Sequence, residues 1–368
     1  SVEYSEGLGA VAAAAETREK SEGSVAAARE VLDLRLSLLP ADHRLVGLAR
    51  VAVAKALSNL SKFEEAEAEL RPAYEAMRAQ NDPGFAFCAS MLAELMMRAP
   101  KGARLAEAEE FLKPTVEQLR ARGPQAEADV ATTLLAMGSV YTRQKRHEEA
   151  ERVLTEVVAI RTRIFPPTHP ATFSARLRLI QAQVAQQRFE AALADCQALV
   201  DQEEKVLGVN SGDFINACVT LGRIREELKD LPAAAAAYGR AAEGSKLIQD
   251  RMQVMICLQM QVRCLVDANL HAQAEAPLRA ALEISKASGR KGVTRIPLLR
   301  ELVSVLAAGG RHEERLAVVR EALEYDASAP SGPELTLELK ADAAAALIAA
   351  GKADAGGEAE GLLRQVFE

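Results

Sequence analysis

Phe63-Glu64-Glu65-Ala66, followed by Leu70, opens a motif that returns along this chain. It recurs as Leu105-Ala106-Glu107-Ala108 with Leu112, as His147-Glu148-Glu149-Ala150 with Leu154 and as Phe189-Glu190-Ala191-Ala192 with Cys196, each 42 residues after the last. Leu231-Pro232-Ala233-Ala234 with Tyr238 keeps the step, and His271 and His312 follow at 40 and 41. Val25 with Ala28 and Leu32 marks an earlier copy, and a faint last one begins near Ala353. The length of 368 residues would ordinarily suggest two or three globular domains. Nine units of about 41 residues leave no room for one, because self-similarity at this period marks a stacked array. The expected arrangement is a single array over 1–368, with repeats at about 1–41, 42–81, 82–123, 124–167, 168–209, 210–250, 251–289, 290–330 and 331–368.

Two helical periodicities flank each marker. Val130, Leu134, Leu135, Gly138 and Tyr141 precede one of them, and Ala150, Val153, Leu154, Val157 and Ile160 follow it. Each unit therefore reads as a helical hairpin. Turn formers separate the units: Asn81-Asp82-Pro83-Gly84, Gly123-Pro124, Pro166-Pro167, Gly208 to Gly212, Gly289 to Gly292 and Pro330 to Pro333. Pro83, Pro124 and Pro170 fall at or near helix starts, where a missing amide costs nothing. No segment alternates apolar and polar residues, so the class is all-α: a stack of about nine hairpins.

Composition narrows the function. Aromatics are 4% with no Trp, so the core must be close-packed Ala and Leu. A net charge of −7 argues against a general nucleic-acid or anionic-membrane surface. No apolar run reaches the ~18 residues of a spanning helix, and no leader precedes the repeats, so a cytoplasmic location is expected. From the opening Ser1 either processing or a segment of a longer protein is expected, the latter preferred. Cys88, Cys196, Cys218, Cys257 and Cys264 are odd in number and contain no Cys-x-x-Cys pair; buried thiols are expected. Cys257 and Cys264 are two helical turns apart, ~10 Å, too far for a disulfide.

His147-Glu148-Glu149 and His312-Glu313-Glu314 occupy the place of Phe63-Glu64-Glu65, so they are helix starts with acids favoured by the macrodipole, not a metal or acid/base site. There is no His-Glu-x-x-His, no phosphate loop and no Gly-x-Ser-x-Gly. The expectation is no catalysis, no metal and no cofactor.

Small residues recur where two helices must cross closely: Ala28, Ala66, Ala108, Ala150, Ala192, Ala234 and Ala274 early in the second helix, and Ala54, Gly138 and Gly222 twelve residues upstream. With the aromatic Tyr141 three residues after Gly138, this pattern resembles the tetratricopeptide repeat family over essentially the whole chain. The 42-residue step and the connector Thr168-His169-Pro170-Ala171-Thr172 are similar to the longer-helix variety of kinesin light chains and many bacterial proteins. That variety usually carries paired Asn in the first helix to hold an extended peptide. Leu135-Ala136, Leu177-Arg178 and Val219-Thr220 stand there instead, which disfavours that binding mode.

The resemblance implies a right-handed superhelical solenoid of about nine hairpins, whose first helices line a concave groove. Carried over unit by unit, it places Leu135, Leu177, Val219 and Gln259 in one inward row and Ser139, Gln181, Arg223 and Arg263 in another, with Arg143 beyond them. An apolar stripe beside a broken basic row suits an amphipathic helix with acidic flanks as the partner. The expected role is a protein-binding scaffold or adaptor, without nucleic acid or membrane insertion, in a larger bacterial signalling or assembly protein; the bacterial origin rests on Ala richness and on 32 Arg against 13 Lys. Two alternatives stay open: a regulatory solenoid of an enzyme such as a kinase or protease whose catalytic domain lies elsewhere, and self-association through the apolar edge Leu362, Leu363, Val366 and Phe367.

Overall fold

The computed structural model describes residues 18–99, 104–287, 295–328, 333–351 and 357–367. Among them are 17 α-helices, one 3-10 turn at Pro124–Ala126 and no strand, so the fold is an all-α helical repeat solenoid. The connector readings at Gly289–Gly292 and Pro330–Gly332, and the last marker at Ala353, lie outside the described residues.

The chain divides into two compact units, 1–187 and 188–368. The first holds α1 (Arg18–Leu38), α2 (Arg44–Asn59), α3 (Phe63–Ala79), α4 (Gly84–Arg98), α5 (Leu105–Ala121), α6 (Glu127–Arg143), α7 (His147–Ile164) and α8 (Pro170–Ala185). The second holds α9 (Phe189–Leu207), α10 (Gly212–Glu227), α11 (Leu231–Leu247), α12 (Arg251–Asp267), α13 (His271–Ala287), α14 (Arg295–Ala308), α15 (His312–Ser328), α16 (Pro333–Ala349) and α17 (Glu358–Phe367). Within each unit successive helices pack on one another, joined by short turns.

The turns share one device. Ser61, Lys145, Lys229, Asn269 and Gly310 all adopt left-handed backbone, with φ between 59° and 68°. Each ends a first helix in a Schellman pattern: the Arg146 amide donates to the Tyr141 carbonyl at 2.9 Å and the Lys145 amide to Thr142 at 3.1 Å, and Asp230 and Lys229 repeat this on Arg225 and Glu226. The connectors at Asn81 and Gln249 repeat the device, whereas two others are capped by histidine. His43 and His169 accept through Nδ1 from the Leu45 and Ala171 amides at 3.1 Å, and His169 stacks on Phe165 at 4.2 Å. Two of the histidines are thus helix caps.

The small residues sit at close crossings. Ala66, Ala108, Ala150, Ala192, Ala234 and Ala274 are all fully buried. A Cβ on Gly138 would lie 2.8 Å from Leu154, and one on Gly222 would lie 2.6 Å from the Tyr238 ring. Neither distance is tolerable unless the Leu154 or Tyr238 side chain gives way.

Neighbouring second helices are laced by ion pairs between residues 36 or 37 apart in sequence. Arg146 binds Glu109 at 2.6 Å, Arg120 binds Glu156 at 2.7 Å and Arg240 binds Glu204 at 2.8 Å. Arg104 and Arg71 converge on Glu67. Burial by itself would raise the Glu109 pKa, but hydrogen bonds from Lys113, Arg146 and Gln144 outweigh it and hold the carboxyl at about 2. All five cysteines are buried and unbridged, and burial pushes the Cys88, Cys196 and Cys218 thiols up to about 12. They are packing residues rather than reactive ones.

Candidate functional site: a cation-rimmed groove in the first unit

The first helices of residues 1–187 enclose a cavity of about 720 Å³. Its apolar floor comes from α4 and α6: Phe87, which is 49% exposed, with half-buried Met91, Met97 and Leu135. Gly138 belongs to this wall. Because it has no side chain, Leu154 of α7 reaches the cavity from behind.

The rim is basic. Lys55 on α2, Arg98 on α4, Arg143 on α6 and Arg178 on α8 face a single acid, Glu94. Glu94 is taken by Arg98 at 3.3 Å, and the same guanidinium lies 5.6 Å from the Phe63 ring. Arg143 donates to the Met97 carbonyl at the end of α4. Lys55 and Arg178 are exposed and have no carboxylate partner among the described residues. The hydroxyls that line the cavity are largely spent on their own helices: Ser139 donates to the Leu135 carbonyl at 3.2 Å and Thr142 to Gly138 at 2.8 Å. The arrangement sets two uncompensated cations beside an apolar floor, which complements a group that is both apolar and negative.

Among the expected residues, Leu135, Ser139, Arg143 and Gln181 line this cavity together. Leu177 does not: it is only 6% exposed and packs into the core. The stripe of α8 that faces the cavity is Ser174, Arg178 and Gln181, and Leu177 is turned ~100° from Arg178, one residue around the helix. Val219, Arg223, Gln259 and Arg263 belong to the second unit. Val219 is half-buried, Arg223 and Gln259 are exposed, and Arg263 is tied to Glu226 at 2.5 Å.

Phe87, Met91 and Met97 escaped the sequence reading because α4 is out of step. Lining positions in α2 and α6 are 84 apart, as in Lys55 and Ser139, but those of α4 precede α6 by 41, as in Glu94 and Leu135 or Arg98 and Ser139. A uniform step of 42 selects Ala93, which is fully buried. The usable signal was Phe87 itself, a large apolar side chain outside the buried stripe of α4, a helix whose only charges are Glu94 and Arg98.

Among the described residues there is no cluster of three or more metal-ligating side chains, and no helix is long and apolar enough to cross a membrane. Residues 129–194 match the family model described as tetratricopeptide repeat. No curated protein sequence matches the chain. Several solved structures share its fold. BtubC from P. vanneervenii is 16% identical at a TM-score of 0.55, covering 62% of this chain and 94% of its own. The apo form of RapI is 13% identical at 0.56, covering 95% and 92%. A Rap protein complexed with competence and sporulation factor is 12% identical at 0.50, covering 100% and 95%.

Proposed function

We propose that this tetratricopeptide repeat protein is a cytoplasmic bacterial adaptor that works by equilibrium binding, with an amphipathic, acid-flanked segment of a protein partner seated in the groove of residues 1–187. The single observation that carries the reading is the cavity of about 720 Å³ with Phe87, Met91, Met97 and Leu135 as its floor and the unpaired cations Lys55 and Arg178 at its rim. Apolar burial on that floor contributes roughly 25 cal/mol per Å² of surface removed from water. The rim then selects among apolar segments, because a partner without acids leaves Lys55 and Arg178 to be desolvated without compensation. The solved complex of a Rap protein with its factor is a precedent for a ligand-holding protein of this fold. The same reading takes 1–368 as one array of nine repeats.

The test is to recover a partner with the intact protein as bait and measure its affinity for wild type, Leu135→Asp and Arg178→Glu. Leu135→Asp is expected to abolish binding, and Arg178→Glu to slow association and flatten its salt dependence. If both bind like wild type while circular dichroism shows them folded, the groove is not the interface.

A further inference from the structure

The first helices of residues 1–187 all run the same way. At one edge their ends are stacked: the Arg98 guanidinium at the end of α4 lies 5.6 Å from the ring of Phe63, which follows the turn out of α2. Arg143 at the end of α6 donates to the Met97 carbonyl in the last turn of α4. Gln186, just past α8, donates to the carbonyl of His147, the first residue of α7, at 3.4 Å. At the other edge their starts are stacked. Gln80, before α4, donates to the carbonyl of Asp42, before α2, at 2.6 Å, and Arg122, before α6, donates to the Asn81 side chain, before α4, at 2.9 Å. The groove thus has a turn edge, where α2, α4, α6 and α8 end, and a connector edge, where α2, α4 and α6 begin.

The charge in the cavity lies towards the turn edge. Lys55, Arg98 and Arg143 stand in the last two turns of α2, α4 and α6, and Arg178 and the one lining acid, Glu94, lie past the middles of α8 and α4. The connector half of the lining is Phe87, Ser90, Met91, Thr132 and Ser174, with no charge. Ser90 and Thr132 spend their hydroxyls on the Ala86 and Ala128 carbonyls of their own helices at 3.0 and 2.9 Å. Glu65, Glu107 and Glu149, at the starts of second helices, are held by Arg29, Arg104 and Arg146, so they supply no partner for Lys55. Four cations against one acid line this cavity in a chain of net charge −7, so the positive side is a local feature.

We infer that the segment held by the groove is an amphipathic helix of a protein partner that lies across α2, α4, α6 and α8 and carries its carboxylates along one margin only, the margin facing the turn edge. The inference rests on the groove as the binding site and adds the side and the direction of its occupant. Four first helices at a spacing of about 8–10 Å present about 30 Å, the length of a helix of about 20 residues. Its apolar face rests on Phe87, Met91 and Leu135, and its acids meet Lys55, Arg143 and Arg178. With the apolar face down and the acids at the turn edge, such a helix can run in only one direction. Reversing it carries the acids to the connector edge, where the lining offers no cation.

The experiment uses the full chain and three fluorescent peptides of about 20 residues, equal in composition, each with one Leu face and a photo-crosslinker at its amino terminus. The first carries Glu along one margin and Gln along the other, the second has the margins exchanged, and the third has its Glu divided between its two ends. The first two are expected to bind with crosslinks at opposite ends of the groove, on α2 and α8, and the third to bind at least about tenfold more weakly. Lys55→Glu is expected to cost the first peptide at least about tenfold, and Thr132→Glu, equally exposed but on the connector half, less than about threefold, with circular dichroism showing both folded. Equal binding by the third peptide, crosslinks at one end for both of the first two, or equal losses at Lys55 and Thr132 overturn this inference and leave the groove in place. If Leu135→Asp binds the first peptide as wild type does, if no peptide binds, or if sedimentation shows a dimer that Leu135→Asp dissolves, the groove reading falls and this inference with it.

Discussion

The two units place their surplus chemistry differently. In residues 1–187 the exposed Phe87 and the half-buried Met91 and Leu135 line a cavity, with Lys55 and Arg178 left without acids. In residues 188–368 two first-helix cations are paired, Arg263 with Glu226 and Arg300 with Glu338, both at 2.5 Å, while Arg223, at the position of Lys55, is exposed, and exposed apolar side chains occur at the connector edge at Leu247 and Ile248. The packing rules inside the hairpins are the same in both. Repeat positions that touch the neighbouring helix are held by sterics, whereas positions that face outward are free to diverge, and there the two halves acquire different binding chemistry.

The comparison breaks most visibly in binding. For an acidic amphipathic segment held in the groove, Met91→Asp or Leu135→Asp is expected to cost roughly 100-fold or more in affinity, since an unpaired charge in an apolar contact costs about 3 kcal/mol. Val219→Asp, at the matching position of α10, is expected to leave that affinity unchanged. Isothermal titration of the three variants decides it, and equal losses at Val219 and Leu135 would mean that the partner uses first helices throughout the chain.

The close crossings should be equally unforgiving in both units. Gly138→Leu and Gly222→Leu are expected to destabilise by about 1–3 kcal/mol each, with Ala150→Leu and Ala192→Leu in the same range, because each forces a packed crossing apart. Denaturant unfolding measures this. A neutral result at Gly222 would remove the shared packing rule.

Acid should separate the units. The folded Glu109 carboxyl titrates at about 2, below its ordinary value of 4.5, so its contribution is fully present above pH 4.5 and is lost as pH falls towards 2. Glu67 is shifted the same way: its burial opposes the shift, and Arg104 and Arg71 overcome it. Glu109→Gln is therefore expected to lower stability at pH 7 and to flatten the stability curve between pH 4.5 and 2. Glu275→Gln in the second unit, whose carboxyl is lowered chiefly by its Arg279 hydrogen bond but lies nearer solvent, should change it less. Melting curves across that pH range would show whether the order is reversed.

The smallest effect concerns the hairpin turns. Lys145→Gly and Lys229→Gly relieve left-handed backbone on a residue with a Cβ, and each is expected to stabilise by up to about 1 kcal/mol. Gly310, already glycine at the same point, marks what the position prefers. Destabilisation by either substitution would show that the lysine side chain contributes more than its backbone strain costs.

Period, helical class and the close crossings were legible in the sequence because each repeats. An Ala or Gly required by a steric contact in one hairpin is required in all of them, so Ala66, Ala108 and Ala150 announce one another. The left-handed turns were invisible, since Ser61, Lys145 and Lys229 are not residues that advertise that conformation. The groove was half legible: Leu135, Ser139, Arg143 and Gln181 follow from the family resemblance carried along the period, whereas Phe87 and Met91 depend on a one-residue slip of α4 and Leu177 on the rotation of α8. A helical side chain moves ~100° per residue, so an error of one position exchanges core for surface. Sequence alone therefore determined that the chain is a stack of helical hairpins with small residues at the crossings. Only the tertiary structure decided which side chains face the cavity and which cations are left unpaired, because those depend on the rotation of each helix and on acids contributed from residues some 36 positions away.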